Sequence, residues 1–448
     1  MLRLAAPVLL EQLLIMLVGL VDTYLCGQHL SAEHLAAMGL MAYVMWLIPS
    51  MFGVVAIGST ALVARHTGAG EREQANVAMN QSFLTGIVVA AVVTALVAIG
   101  GSAFIGAVQL KGDAAPYASR YLWILLPVLP AIMVEQVGIA SLRGAGDMVS
   151  GFIAMTVVNV VNVVVSASLV VGYFGLPKLG WDGLAIGTAC GHAIGAVIVA
   201  GFLLAGRAGL RLRLTSLVPN WSMIRRLLRI GLPGGADVMA VVVCHLWFLS
   251  IINTLGTTAA AAHGLGVRIE SLAYLPGTAF QVAAATLAGQ FIGAGDYQRA
   301  RSSVWMACLV GGGMMIAAGF LFYFGAGRLT GLFLGEQTRD AAVVAVPLLQ
   351  VVSFSMPSLA LTMILTGALR GAGDTRWPLM FTFVGLLGIR IPLSYFFAWD
   401  HVSLLGLEMS GMNLGVIGAW YAMVIDLVVR SILVSIRFFR GKWLETSV

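Results

Sequence analysis

The sequence has 448 residues, of which 60% are hydrophobic and 10% are charged, with a formal net charge of +6. A soluble globular domain carries about 25% charged residues, so this composition excludes a soluble protein, and the continuous apolar runs exclude the alternating pattern of a membrane β-barrel. The basic residues lie mostly in loops, so the positive charge indicates membrane orientation and we expect no nucleic-acid partner.

Apolar runs separated by charged, glycine or proline breaks predict twelve transmembrane helices, because about 20 mostly apolar residues are needed to cross a hydrocarbon core about 30 Å thick. The run from Ala5 to Cys26 is too long for a signal peptide and is predicted to be the first retained span. The predicted spans are 5–28, 36–63, 80–106, 118–140, 150–173, 184–206, 228–254, 261–289, 303–326, 341–367, 378–398 and 412–434.

A duplicated motif divides the chain into halves. Leu142–Asp147, with the sequence LRGAGD, recurs unchanged as Leu369–Asp374, 227 residues later. Further landmarks keep nearly the same offset: Gly68-Ala69-Gly70 returns as Gly293-Ala294-Gly295, and the segment around Pro7 returns at Leu232-Pro233. Such a long period indicates two copies of a whole helical bundle.

Six predicted spans fall in each copy, so the predicted fold class is an all-α integral membrane protein with two six-helix bundles. An even number of spans gives both copies the same orientation and relates them by a pseudo-two-fold axis along the membrane normal. We expect an N-terminal bundle over 1–206, a cytoplasmic basic linker over 207–227 and a C-terminal bundle over 228–448.

Lysine and arginine are distributed unevenly between the two sides of the membrane. Seventeen lie in loops and tails on the side of the N terminus, whereas five lie on the other side: Lys111, Arg120, Lys178, Arg328 and Arg339. This bias predicts that both termini lie in the cytoplasm. The membrane is expected to be the inner or plasma membrane. In the two LRGAGD loops, Arg and Asp are expected to cap helix ends or to pair with each other.

Ionisable side chains within spans are costly and usually face a cavity or the bundle interior. Six acids lie in such positions: Glu11, Asp22, Glu135, Asp237, Glu270 and Asp426. Asp22 is the main candidate for ion coupling, because no basic residue lies near it in sequence and a carboxyl group at this depth can exchange a proton. A hydrogen-bonded packing role is the alternative.

Span 5 presents a polar face formed by Asn159, Asn162 and Ser166, which are spaced three and four residues apart. These side chains either join helices through hydrogen bonds or line a cavity together with Asp22. Glu135 precedes the first LRGAGD loop by two turns and is a candidate for a gate or a cation site.

The second copy offers a different set of candidates. Asp237 and His245 share one face of span 7 and could act as a coupled acid and base. For Glu270, pairing with Arg268 is expected, and for Asp426, pairing with Arg430. Arg390 needs an acceptor, and a structural ion pair is expected. Together with Glu135, the residues His245, Glu270 and Arg390 remain candidates for a gate or for secondary coupling.

Neither a metal site nor catalytic chemistry is indicated. Cys26, Cys190, Cys244 and Cys308 lie in apolar runs, far apart in sequence, and are expected to pack as small apolar residues. His192, His245 and His263 show no ligand spacing. The chain is therefore not expected to be an enzyme or to need an organic cofactor, and two similar bundles suit a transporter better than a fixed pore.

The chain resembles the multidrug and toxic compound extrusion (MATE) family over essentially its full length. The segments that carry the resemblance are Val21-Asp22-Thr23, Gly68-Ala69-Gly70, Leu142 to Asp147, Asn162, Gly172, Gly180, Gly231-Leu232-Pro233, Ala262-His263-Gly264, Gly289-Gln290, Gly293 to Asp296, Leu369 to Arg376 and Gly415 to Trp420. The resemblance implies two bundles flanking a central cleft, and alternating access in which inward flow of Na⁺ or H⁺ expels organic cations and other amphipathic compounds.

The resemblance also implies roles for single residues. Asp22 falls on the family's first-span acid and Asn162 on its span 5 asparagine, but Ser166 stands where some members have a second acid. NorM-type members have a Glu eight residues after the span 7 proline and an Asp in span 10, whereas this chain has Val241 at the first position and no acid in span 10. These departures favour protonation of Asp22 over a second Na⁺ site, with Asp237 as a possible substitute.

The sequence therefore predicts a cation-coupled antiporter, with H⁺ favoured over Na⁺, that exports amphipathic and mainly cationic small molecules. Its expected partners are that substrate and membrane lipid, and it is expected to be a monomer. The alternative is an exporter or flippase of a lipid-linked or polar metabolite, which several basic residues in the cavity would favour; Arg268 and Arg390 are the only candidates for these.

Overall fold

The computed structural model describes residues 1–107, 113–213, 218–333, 339–404 and 407–446. Lys111 and the side chain of Arg339, which entered the charge comparison above, lie outside the described part. Nearly all of the described residues are helical, as the apolar composition requires, because a helix satisfies every backbone hydrogen bond within its own segment.

Seven helices precede the linker. They are α1 (Leu2–His29), α2 (Ala32–Gly68), α3 (Arg72–Ala107), α4 (Ala114–Leu125), α5 (Leu129–Gly144), α6 (Val149–Val171) and α7 (Trp181–Leu204). A short 3₁₀ segment, Leu126–Val128, joins α4 to α5. Pro127 and Pro130 lie at this junction, where missing backbone donors interrupt the α-helical hydrogen-bond pattern.

Eight helices follow the linker. They are α8 (Trp221–Thr254), α9 (Thr257–Gly293), α10 (Tyr297–Phe333), α11 (Arg339–Ser353), α12 (Met356–Gly371), α13 (Arg376–Thr382), α14 (Ile391–Ala398) and α15 (Gly415–Phe439). A π-helical segment, Phe383–Arg390, connects α13 to α14, and the chain bends by 56° between α11 and α12, just before Pro357. Two short antiparallel strands, which were not predicted from the sequence, pair with each other: β1 (His401–Leu404) and β2 (Leu407–Ser410).

Among the described residues, nine helical segments are long and apolar enough to cross a membrane, and the bent pair α11–α12 makes a tenth. The long helices α9 and α15, which carry buried charged residues, bring the total to twelve, six in each half. The predicted fold class is confirmed. Several helices extend beyond the predicted spans: α2 has 37 residues, or about 55 Å, and therefore exceeds the bilayer core.

The chain forms two compact units. The first comprises Leu2–Gly235 with Gly293–Gly295, and the second comprises Met1, Ala236–Ile292 and Asp296–Val448. Large side chains such as Phe52 and Tyr121 fill the first unit, and Trp420, Phe248 and Phe322 fill the second.

The linker is held against α3 by three amide side chains. Asn76 donates to the carbonyl oxygen of Gly209 and accepts from the amide of Arg211, and Asn80 bonds Arg211 and Arg213 in the same way. Gln81 forms the corresponding pair of bonds with Val218 and Asn220. The helix that follows begins at Trp221, so Arg225 and Arg226, predicted to lie in the linker, belong to the first turns of α8.

Candidate functional site

Asp22 lies on α1 and is 3% exposed, so its carboxylate faces neither lipid nor bulk water. Its Oδ1 atom accepts hydrogen bonds from Asn162 Nδ2 at 3.4 Å and Ser166 Oγ at 3.5 Å. Its Oδ2 atom accepts a hydrogen bond from Thr188 Oγ1 at 3.0 Å. We call these four residues the Asp22 cluster. Within the described parts of the chain, no lysine or arginine forms an ion pair with Asp22.

Close packing of α6 on α7 makes this cluster possible. Asn162 and Ser166 lie one turn apart on α6, and Thr188 lies on the facing side of α7. A Cβ atom at Gly187 would lie 2.0 Å from Ser166 Oγ, and one at Gly191 would lie 3.0 Å from the carbonyl oxygen of Val158. Glycine at these two positions therefore lets the helices approach closely enough for Thr188 to reach Asp22.

The structure brings together Asp22, Asn162 and Ser166, as the sequence analysis expected, but not Asn159. The Asn159 side chain donates to the carbonyl oxygen of Met155 and makes no hydrogen bond to the Asp22 cluster. Two further residues were missed: Thr188, which also accepts from Asn162 at 3.2 Å, and Tyr121, whose hydroxyl lies 3.0 Å from Thr188 Oγ1. A hydroxyl group in an apolar helix is common, so the sequence held no signal for either.

Glu135 is buried at 1% exposure and contacts a histidine from another helix. His192 Nδ1 lies 2.9 Å from Glu135 Oε2. We call these two residues the Glu135–His192 pair. The sequence indicates Glu135 alone, because the two residues are 57 positions apart and no local pattern relates them.

Asp237 and His245 are not brought together. Arg370 Nη2 lies 2.6 Å from Asp237 Oδ2, and the Asp237 side chain is 2% exposed. His245 Nδ1 donates to the carbonyl oxygen of Val241 at 2.8 Å. Asp237 is thus the acceptor of a buried ion pair with the arginine of the second LRGAGD motif.

The first copy contains the equivalent ion pair. Arg143 Nη2 lies 2.7 Å from Glu11 Oε1, and Glu11 follows Pro7 by four residues, just as Asp237 follows Pro233. The same offset of 226 residues places Phe248 where the first copy has Asp22. Asp237 therefore corresponds to Glu11, and the second copy has no acid equivalent to Asp22.

The aspartates of the LRGAGD motifs also form ion pairs with arginines elsewhere in the chain, not with the arginine of their own motif. Asp147 pairs with Arg207 at 2.8 Å and accepts from the backbone amides of Val149 and Ser150, which caps α6 as expected. Burial opposes ionisation, but hydrogen bonds from Arg207 and Ser150 hold the pKa of Asp147 below its usual value.

In the second copy, Asp374 pairs with Arg437 at 2.7 Å. Here burial dominates and raises the pKa of Asp374, although the hydrogen bond and charge of Arg437 act in the opposite direction. The two loops have the same sequence but different electrostatic balances.

A second buried charge cluster lies in the other unit. Asp426, fully buried, accepts from Arg430 at 2.7 Å and from Arg390 at 2.8 Å. The expected pairing of Asp426 with Arg430 is confirmed, and Asp426 is the acceptor that Arg390 required. The expected pairing of Glu270 with Arg268 is wrong: residues two positions apart point to different sides of a helix, and Arg268 is exposed whereas Glu270 is 4% exposed.

All four cysteines are free thiols, and Cys26, Cys244 and Cys308 are buried, as expected for small apolar residues. In the described ranges, no group of three His, Cys, Asp or Glu side chains is arranged to hold a metal ion.

Comparison with known proteins identifies the family. The MatE family model matches residues 7–167 and 233–396, which together make up most of the chain. The chain belongs to the MatE family. It is a multi-pass membrane transporter, and the two matched segments correspond to the two copies found through the LRGAGD repeat.

Similar MatE proteins extend over almost the same length. A probable multidrug resistance protein NorM from Thermotoga maritima is 28% identical over 454 residues, covering 100% of this chain and 93% of the relative. The probable multidrug resistance protein YoeA from Bacillus subtilis is 25% identical over 404 residues, covering 87% of this chain and 84% of the relative.

Solved structures show the same fold. One, described as an outward-facing conformation of a multidrug resistance MATE family transporter of the MOP superfamily, has a TM-score of 0.90 at 20% identity, covering 99% of this chain and 96% of the other. A MOP superfamily transporter from Pyrococcus furiosus, described as having a binding pocket of reverse polarity, has a TM-score of 0.89 at 21% identity with the same coverage.

Proposed function

We propose that this MatE transporter is a proton-coupled antiporter that exports amphipathic, mainly cationic small molecules by alternating access. The face that carries the loops at 69–71, 145–148 and 205–213, which we call the basic face, is cytoplasmic in this proposal. The membrane is the inner or plasma membrane, and both termini are cytoplasmic. The names of the NorM and YoeA relatives support a drug-like substrate.

The observation that carries the proposal is the environment of Asp22. An acid that only stabilised the fold would be expected to pair with an arginine or lysine, as Asp237, Glu11 and Asp426 do. Asp22 instead has three neutral hydrogen-bonding partners. Its charge is therefore not compensated by a fixed cation, and a mobile one, either H⁺ or a substrate cation, can neutralise it.

The chemistry of these partners favours H⁺ over Na⁺. A sodium ion needs several oxygen lone pairs directed at one point, whereas Asn162 presents its Nδ2 donor to the carboxylate and the hydroxyl groups of Ser166 and Thr188 would have to turn their donors away from it. Hydroxyl groups can donate to an ionised carboxylate and accept from a protonated one. The Asp22 cluster can therefore remain hydrogen-bonded in both protonation states.

Coupling follows if the substrate and the proton favour different arrangements of the transporter. A ligand shifts a conformational equilibrium only by the difference between its affinities for the two states. Binding of H⁺ at Asp22 removes the negative charge that attracts a cationic substrate, so one proton entering can release one substrate cation. No other cofactor is required.

The alternative, export of a lipid-linked or polar metabolite, has less support. Export of such a metabolite would need basic side chains that are free to bind its anionic group. Arg390 is 2% exposed and bound to Asp426, and Arg268 is exposed on α9 as a single residue.

The test is efflux of a fluorescent cationic dye from proteoliposomes under either a pH gradient or a sodium gradient of the same size. The proposal predicts efflux under the pH gradient and none above background under the sodium gradient. Sodium-driven efflux at a constant pH would contradict H⁺ coupling. Failure of both gradients to move cationic dyes, with transport of an anionic or lipid-linked compound, would support the alternative.

A further inference from the structure

The first unit contains a second buried titratable pair that the proposed coupling step does not use. Glu135, on α5, and His192, on α7, are held 2.9 Å apart, and their side chains are 1% and 13% exposed. The Oε1 atom of Glu135 is buried without a hydrogen-bond partner among the described residues. A buried carboxylate with an unused acceptor next to an imidazole is a typical arrangement for binding an additional proton.

The pair lies next to the Asp22 cluster. His192 follows Thr188 by four residues on α7, so the two side chains project from one face of that helix, one turn or about 6 Å apart. Thr188 in turn donates directly to Asp22. One face of α7 therefore carries both the hydroxyl that binds Asp22 and the imidazole of His192, one turn closer to Leu204.

The pair also lies on the side of the cluster that points to the basic face. Along α7, His192 is closer than Thr188 to the helix end at Leu204, which leads into the segment 205–213. Along α5, Glu135 precedes Arg143 by eight residues, or about 12 Å, and Arg143 binds Glu11. The ionisable groups thus occur in the order Asp22, His192 with Glu135, and Glu11 with Arg143.

The surroundings pack closely around this pair. A Cβ atom at Gly195 would lie 2.5 Å from Val158 Cγ2 and 3.2 Å from Glu135 Oε2, so glycine at this position lets α7 approach the Glu135 carboxylate. The helix α6, which packs on α7, has no charged residue. On the other helices that pack on α5 or α7, namely α1, α2, α3 and α4, the titratable or charged residues other than Asp22 are Arg3, Glu11, Tyr24, Cys26, His29, Glu33, His34, Tyr43, Arg65, His66, Arg72, Glu73, Tyr117, Arg120 and Tyr121, and α5 and α7 themselves add Arg143, Asp182 and Cys190.

We propose that the Glu135–His192 pair is a second proton-binding site, which takes the proton released by Asp22 and passes it toward the basic face. This inference rests on the proposed function, because it assumes that the coupling ion is H⁺. In the step, the O–H bond of protonated Asp22 breaks and an N–H or O–H bond forms on the pair. The charge of Asp22 changes from 0 to −1 and the charge of the pair from −1 to 0, so no other reactant is needed.

The experiment compares two transport modes in proteoliposomes containing equal amounts of folded protein. Efflux driven by a pH gradient requires net proton passage, whereas exchange of labelled for unlabelled dye at equal pH does not. The variants are His192→Gln and Glu135→Gln. Their matched control is His66→Gln, because His66 forms a similar pair with Glu71, at 2.7 Å, away from the proposed route.

We expect both test variants to slow pH-driven efflux by about tenfold or more while exchange stays within about twofold of the wild type. Loss of a positioned proton-transfer group slows proton transfer by roughly 10²- to 10⁴-fold, and part of this loss is hidden where the conformational change limits the rate. The His66→Gln control is expected to match the wild type in both modes. If a glutamine variant does not fold, Glu135→Asp is assayed instead and is expected to show a smaller loss of the same kind.

The outcomes separate this inference from the proposed function. Wild-type efflux that follows sodium and not pH would overturn the proposed function. Wild-type efflux that follows pH, is lost in Asp22→Asn and is unchanged in the pair variants would overturn only the second site. Equal loss of efflux and exchange in the pair variants would show a structural role and would also overturn it.

Discussion

Asp237 and Arg370 form a buried ion pair, 2.6 Å between Oδ2 and Nη2, that repeats the pairing of Glu11 with Arg143 in the first half of the chain. In both copies, the acid lies one turn after a proline in the first helix, and the arginine belongs to the LRGAGD loop. The duplicated motif thus connects the fourth span of each half to its first span. Its aspartate forms a further ion pair, with Arg207 in the first copy and with Arg437 in the second.

This relationship predicts a structural effect for Asp237→Ala. The substitution leaves the partly buried Arg370, which is 16% exposed, without its counter-charge, and loss of one partner of a buried pair costs at most about 3–5 kcal/mol. We expect a lower unfolding temperature in detergent and, in the fraction that remains folded, pH-driven transport with the wild-type number of protons per substrate. A stable Asp237→Ala protein with altered proton stoichiometry would show instead that Asp237 takes part in coupling.

The sequence could predict those parts of the site that depend on one helix. The spacing of Asn162 and Ser166 predicts that they share one helix face. The uncompensated charge of Asp22 in an apolar run identifies it as the candidate for ion coupling. Contacts between helices could not be predicted, because Thr188, Tyr121 and His192 reach their partners only through tertiary packing. The repeat relates Glu11 to Asp237, since both follow a proline by four residues at an offset of 226, but their pairing with Arg143 and Arg370 is a contact between helices and is visible only in the structure.

Removing the hydroxyl group of Thr188 should impair coupling. Thr188→Val loses the 3.0 Å hydrogen bond to Asp22 and the contact with Tyr121 while keeping the shape of the side chain. A hydrogen bond to a charged group contributes about 1.5–3 kcal/mol, so we expect pH-driven efflux to fall by about tenfold or more and to recover in Thr188→Ser. The control is Thr156→Val on α6, because the Thr156 hydroxyl donates to the carbonyl oxygen of Phe152 on its own helix. Equal efflux from the Thr188 and Thr156 valine variants would argue against a role for Thr188.

Close packing of α6 and α7 can be tested through a single methyl group. In Gly187→Ala, the new Cβ atom would lie 2.0 Å from Ser166 Oγ and 2.8 Å from the Ser166 amide nitrogen, so the helices must separate. Overpacking of this kind costs about 1–3 kcal/mol, and we expect lower thermal stability together with loss of pH-driven efflux. In Gly201→Ala, on the same helix, the new Cβ atom would meet no neighbouring atom within 4 Å, so thermal stability and pH-driven efflux should both stay unchanged. Normal transport by Gly187→Ala would show that the Asp22 cluster tolerates a wider gap.

The two LRGAGD aspartates should respond to pH with opposite signs. Because the pKa of Asp147 is lowered in the folded state, its contribution to stability is complete above the unfolded value of about 3.9 and is lost as the pH falls through the folded value. The stability difference between the wild type and Asp147→Asn should therefore be largest near neutral pH and should shrink below about pH 4.

For Asp374 the folded-state pKa is raised, so its contribution is complete below the unfolded value and falls as the pH rises through the folded value. The difference between the wild type and Asp374→Asn should accordingly change in the opposite direction over the acid range. Thermal unfolding of both variants between about pH 3 and pH 7 makes the comparison. The same pH trend in both variants would contradict these assignments.

Proton-coupled export by this transporter depends most on the ability of Asp22 to exchange a proton when substrate binds. The direct measurement is the number of protons released when a cationic dye is added to the purified transporter in weakly buffered detergent solution, followed with a pH indicator. We predict release from the wild type and from Glu73→Gln, an exposed carboxylate paired with Arg213, and none from Asp22→Asn. Undiminished proton release from a folded, dye-binding Asp22→Asn protein would contradict the central claim.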